Sequence, residues 1–140
     1  RALLESIAFG NRRIIENFSE HGLKPNEIVA CGGIAEKSPL TMQLLADTSG
    51  LRVSVPESTQ IPARGAALFG AVAAGFFADI GSAIAATRPR IARSYEPEAD
   101  AQAVYDQVYA IYRSLYERLG RTEAELLHGL KRIHSERRAS

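Results

Sequence analysis

The chain has 140 residues, 46% of them hydrophobic, with 17 basic against 16 acidic side chains and a formal net charge of +1. That is enough apolar material for one ordinary domain, and the balanced charge gives no general argument for nucleic acid or an anionic membrane as partner. A single cysteine, Cys31, excludes an internal disulfide, and three scattered histidines make no zinc-ligand pattern, so a reducing, cytoplasmic setting fits.

The first predicted element is a helix over 2–20, where Ala2/Leu3, Ile7, Phe9/Gly10, Ile14 and Phe18 recur at helical spacing. His21-Gly22 is its stop, with Gly22 suited to the left-handed cap position. The opening "RALLES" has no initiator Met, no cap and no signal-peptide pattern, and the expectation is a piece of a longer protein. Pro25 and Asn26 make a loop, and "EIVAC", 27–31, is a strand candidate ending at Gly32-Gly33. Ser38 fits a helix N-cap with Pro39 at the first helical position. Leu40, Leu44 and Leu45 are the expected inner face of that helix, and Gly50 its end. "LRVSV", 51–55, alternates and reads as a second strand, followed by a loop from Pro56 to Pro62.

A helix is expected over 63–77, carrying Gly65, Gly70 and Gly75. Its "AALFGAVAAGFF" is the most membrane-like stretch, but is shorter than the ~18 apolar residues of a span, so the small residues predict a helix lying close against a neighbour. A further short helix is expected over 79–86, and 87–97, with Pro89 and Pro97, reads as irregular. From Glu98 to Leu119 the pattern predicts a long helix with two stripes, Val104/Val108/Ile111/Leu115/Leu119 and Tyr105/Tyr109/Tyr112/Tyr116, stopped by Gly120. Thr122 with Glu125 fits a capping box for a last helix, whose end, "SERRAS", is expected to fray. Strands alternating with helices predict an α/β layer arrangement. Two strands alone make a poor sheet, which again suggests part of a larger unit.

A strand that ends in glycines before a helix is where α/β proteins bind ligands, and glycine lets a flat group approach the backbone. On pattern alone a tight turn is the leading reading of Gly32-Gly33, since the pair is neither GxGxxG nor a P-loop. Lys37 and Glu36 read first as solvated loop residues, and Cys31 as a small buried hydrophobe at a strand end. The tyrosine stripe could stack bases, but without net positive charge a packed or partner-facing helix is the better reading. No paired-carboxylate or other acid/base site stands out. Arg64, a cation at a helix start, has no account from sequence.

The segments "RALLESIAFGNRRIIENF", "VACGGIAEKSPLTMQLLADTSG", "PARGAALFGAVAAGFF" and "YEP…AVYDQVYAIYRSLYERL" resemble, in that order, the C-terminal end of the FGGY family of carbohydrate kinases. "CGGIAEK" and the tyrosine-rich ending look most like the ribulokinase branch. The resemblance implies an actin-like ATPase fold of two lobes, each ribonuclease H-like, with ATP and Mg2+ in the cleft between them. Residues 1–120 would be the C-terminal nucleotide-binding lobe and 121–140 a terminal helix or tail. It implies that Gly32 and Gly33 line the adenine and ribose pocket, with Ile34 and Lys37 at its rim, and that catalytic base, sugar contacts and most phosphate contacts lie in a preceding lobe. It also implies a ketopentose acceptor, L-ribulose foremost, with other pentulose kinases of the family or a non-catalytic protein-interaction module as alternatives. No nucleic acid or membrane partner is expected, and an unpartnered lobe would expose apolar surface and self-associate as a homo-oligomer.

Overall fold

The computed structural model describes residues 1–58 and 60–139. Thr59, in the expected loop, and Ser140, in the expected fraying tail, lie outside the described residues. Helix α1 runs Ala2–Glu20. It closes as a Schellman motif: Gly22, at φ +87°, lets Leu23 N–H reach the Phe18 carbonyl at 3.0 Å and Gly22 N–H the Ser19 carbonyl at 3.1 Å.

Strand β1 (Glu27–Val29) is followed by a short helix α2 (Gly33–Lys37), helix α3 (Pro39–Ser49) and strand β2 (Arg52–Pro56). Ser38 caps α3, its Oγ accepting from Thr41 N–H at 3.4 Å, and Gly50 ends it in the left-handed region at φ +69°. β1 pairs parallel with β2, Ile28 opposite Val53. The sheet has a third strand, β3 (Ile91–Tyr95), antiparallel to β2 with Val53 opposite Tyr95 and an irregularity at Val55/Pro56. The expected irregular stretch therefore holds a strand: Pro89 and Pro97 lie outside the ladder and delimit it, where a missing N–H costs nothing. As the middle strand, β2 buries Val53, Ser54 and Val55 in succession, not in alternation. Ser54 is accommodated because its hydroxyl donates to the Glu27 carboxylate.

α3 is the middle layer. Met42 and Ala46 pack with Val53, Val55 and Ala35 on the sheet side, and Leu44 packs with Ala8, Phe9, Tyr105 and Tyr109 on the other. A helix sandwiched this way is buried on two sides, so a single inner face does not describe it. Leu44 is buried as expected, whereas Leu40, at the first turn, is 61% exposed.

Helix α4 (Ile61–Ala73) buries no residue and packs chiefly on helix α5 (Ile80–Thr87), which Asp79 and Ser82 open as a capping box. The expected close contact of the small residues is not made: nothing lies within 4 Å of where a Cβ would stand on Gly65 or Gly70, and Phe69 and Phe76 are exposed. Helix α6 (Ala99–Glu117) runs through a π-helical turn (Arg118–Thr122) toward helix α7 (Ala124–Ala139). Gly120 thus sits within the turn and does not stop the chain's winding, Thr122 lies inside the same turn and does not cap α7, and the expected fraying end is helical to Ala139.

The two stripes of α6 divide the work, and the tyrosine stripe is the one that packs, as the sequence reading allows. Tyr105 and Tyr109 are buried, while Val104, Val108, Ile111 and Leu115 are exposed. Phe9 sits between the rings, its centroid 6.1 Å from Tyr105, 5.7 Å from Tyr109 and 5.4 Å from Tyr112. α1 supplies partners for the polar tips: Tyr109 Oη donates to Glu16 at 2.7 Å, and Arg1 donates to Tyr105 Oη at 3.2 Å. The Arg12 guanidinium lies 4.1 Å from the Tyr109 ring centre and donates to Asp106 at 2.6 Å and to the Thr48 carbonyl at 2.9 Å.

Burial, reinforced by the Glu16 carboxylate, holds the Tyr109 phenol above its ordinary value. The unfolded phenol ionises near pH ~10 and the folded one higher. Its contribution to stability is therefore complete below that pH and is lost as pH rises above it. Urea unfolding between pH 8 and 11 is expected to show a stability decline above pH ~10 that Tyr109→Phe reduces; an identical decline in both proteins would contradict this role.

Candidate functional site

The parallel ladder of β1 and β2 extends one residue further, Ala30 N–H donating to the Ser54 carbonyl at 2.9 Å. The chain then turns at Gly32, with φ +94° and ψ 177°, a conformation that is essentially glycine-only. Cys31 is exposed, not the small buried hydrophobe its apolar neighbours suggest, because the strand has already ended. α2 is anchored by Ala35, which is 2% exposed among Met42, Ala46, Val53 and Val55. Gly33, Ile34 and Lys37 are exposed.

The two glycines answer different needs. Gly32 is required by its backbone angle. Gly33 has no positive φ, and a Cβ added to it would meet nothing within 4 Å. Neither strain nor packing asks for glycine there, as is also true of Gly65 and Gly70 in α4; what sets Gly33 apart is its place beyond the carboxyl end of the parallel strands. Gly32, Gly33, Ile34 and Lys37 together form a ledge beyond the carboxyl end of the parallel pair, the place where open α/β sheets present ligands.

Polar chemistry on the ledge is sparse. Lys37 makes no ion pair among the described residues. The ledge does not line the cavity of ≈ 440 Å³ that lies between α1, α3 and α6 around Leu4, Leu44, Asp47 and Tyr105. There the buried Asp47 carboxylate accepts from Gln43 at 2.8 Å and from Glu98 N–H at 2.9 Å, fixing the start of α6 against α3. Among the described residues no three His, Cys, Asp or Glu side chains gather at metal-holding distance, and no helix is long and apolar enough to cross a membrane. The arrangement can bind and orient a group against backbone and apolar surface. The family resemblance names Gly32, Gly33, Ile34 and Lys37, but sequence reading missed what touches α2 from the sheet edge: Arg93 of β3 donates to the Glu36 carbonyl. No local signal marks that residue, since its contact depends on β3 pairing with β2 and reaches a carbonyl 57 positions away.

Comparison with known proteins gives this fold its class. The profile of the FGGY family of carbohydrate kinases, C-terminal domain, matches residues 1–74. A xylulose kinase from Lactobacillus acidophilus superposes with a TM-score of 0.77 at 22% identity, over 90% of this chain and 25% of that one. A xyloylose kinase from Brucella ovis superposes with a TM-score of 0.74 at 29% identity, over 85% of this chain and 24% of that one. The architecture is thus part of an actin-like ATPase lobe as FGGY sugar kinases build it.

The chain belongs to the FGGY family. Among curated relatives, the ribulokinase of Bacillus licheniformis is 40% identical across 96% of this chain and 26% of its own length. The ribulokinase of Mycolicibacterium smegmatis is 41% identical across 99% of this chain and 24% of its own. The chain spans about a quarter of the length of the curated relatives it matches.

Proposed function

We propose that this chain is the C-terminal, nucleotide-binding portion of a longer ATP-dependent carbohydrate kinase of the ribulokinase kind, working in the cytoplasm. The observation that carries the reading is the open space over Gly33, on a ledge beyond the parallel strands of an FGGY-family chain. In phosphoryl transfer most of the catalysis is positioning and charge stabilisation. A portion that receives adenosine needs glycine backbone and apolar walls, which Gly32, Gly33 and Ile34 offer, with Lys37 at the rim. Mg2+ would ride on the phosphates of ATP. Its protein ligands, the catalytic base and the sugar contacts are assigned to the preceding portion, and the acceptor to a ketopentose, L-ribulose ahead of other pentuloses. The identity to ribulokinases favours that branch over the xylulokinase type. By itself the chain is inactive. The outward apolar residues of α1 and α6, among them Leu3, Ile7, Val104 and Ile111, are surface that the rest of the enzyme or another copy would cover.

The test is a kinase assay on the full-length protein that contains this chain, against a panel of pentuloses. The expected result is ATP- and Mg2+-dependent phosphorylation of L-ribulose, faster than of D-xylulose or D-ribulose, and none by the 140-residue chain alone. Phosphorylation of no sugar, or a clear preference for D-xylulose, would overturn the assignment at the corresponding level.

A further inference from the structure

We infer that Arg93 is a positioning residue for the nucleotide ledge, holding α2 at the angle that presents Gly32 and Gly33; this rests on the reading of the ledge as the adenosine site. α2 is only five residues long and ends awkwardly. Ser38 N–H bonds back to the Ile34 carbonyl at 2.9 Å, but the backbone then breaks at Ser38, with φ −123° and ψ 82°, and Pro39 opens α3 in a new direction. The Glu36 carbonyl is one of the terminal acceptors that a helix leaves unmatched. Arg93 Nη2 donates to it at 2.5 Å, and a guanidinium donor makes that bond stronger than a neutral one.

The geometry of the hold matters more than its strength. Arg93 stands opposite Val55 in the antiparallel pair, so it reaches α2 from the far strand of the sheet. Ala35 fixes how deeply α2 sits, but a single buried methyl leaves so short a helix free to pivot. Among the described residues, Arg93 makes the only side-chain hydrogen bond to α2 from outside α2 and α3. Ala35 and Glu36 are consecutive, so the buried methyl and the Arg93 bond together hold the C-terminal half of α2 to the sheet. A pivot about Ala35 would move Gly33 and Ile34 at the opposite end, over a helix about 7.5 Å long.

The experiment uses the full-length kinase with Arg93→Ala, Arg93→Lys and, as control, Gly33→Asp, measuring kcat, the KM for ATP and the KM for the sugar. Arg93 is exposed, so Arg93→Ala is expected to fold. The expected result is an ATP KM raised about three- to tenfold, the range for loss of one solvent-exposed hydrogen bond, with kcat and the sugar KM within about twofold of wild type. Arg93→Lys, which keeps a donor, recovers part of the loss. An ATP KM unchanged in Arg93→Ala but raised in Gly33→Asp would overturn the role of Arg93 and leave the ledge reading standing. An ATP KM that neither substitution changes would overturn both. Equal loss of kcat and both KM values in Arg93→Ala, without recovery by lysine, would show general structural support and overturn positioning.

Discussion

Replacing Gly33 with alanine is expected to leave the fold as stable as before, or slightly more so, while weakening ATP affinity of the full-length kinase about tenfold. Both halves follow from the same position. Gly33 is the first residue of α2, has no positive φ, and has nothing within 4 Å of where the new methyl would stand. Alanine in a helix is favoured over glycine by roughly 0.5–1 kcal/mol, so the melting temperature should hold or rise. A methyl in the space a ligand must enter works against binding, and overpacking of 1–3 kcal/mol corresponds to about a tenfold loss at 1.4 kcal/mol per decade. Gly32→Ala is the contrasting case. It has equal room around it, but at φ +94° and ψ 177° it should destabilise the fold by about 1–3 kcal/mol. Calorimetry and ATP titration on both variants separate the roles. If Gly33→Ala leaves ATP affinity untouched, the pair is a turn and nothing more.

That contrast shows where sequence reading reached its limit. The glycine pair, the Ser38-Pro39 cap, the Gly22 and Gly50 stops and the long helices were legible because each depends on neighbours within a turn of chain. β3 was not. "IARSY" has neither length nor clean alternation, and becomes a strand by pairing with β2. Recognising it would have required knowing that β2 is a middle strand, which also explains why Ser54 is buried between two valines. Leu40 was assigned inward by periodicity alone, yet it lies in α3's first turn, outside both packed faces. The small residues of α4 predict close packing, and among the described residues nothing comes within 4 Å of where a Cβ would stand on Gly65 or Gly70. On the ledge, pattern alone reads a turn and a solvated lysine, and it is the family resemblance that singles out Gly32, Gly33, Ile34 and Lys37. Pattern could not distinguish a glycine demanded by its backbone angle from one demanded by nothing inside the molecule.

The division of work between the α6 stripes gives the second large expected effect. Phe9→Ala should cost about 3–5 kcal/mol, whereas Ile111→Ser should change stability by no more than about 0.5 kcal/mol. A hydropathy ranking would treat both as losses of a core residue. In the structure Phe9 is 3% exposed and touches three tyrosine rings, while Ile111 is 65% exposed. The reason lies on α1, whose Arg1, Glu5, Arg12 and Glu16 face α6. Only side chains with an apolar body and a polar tip can fill that seam without leaving those groups unmatched. Aliphatic residues turned inward would bury the same area but take from Glu16 the hydroxyl donor that Tyr109 supplies. Removing Phe9 takes out the ring that spaces the tyrosines, so α1 and α6 should loosen together. Urea unfolding of the 140-residue chain measures both variants. A large loss in Ile111→Ser with little change in Phe9→Ala would mean that α6 is rotated by about 100°, one residue's turn of the helix, with its aliphatic stripe inward.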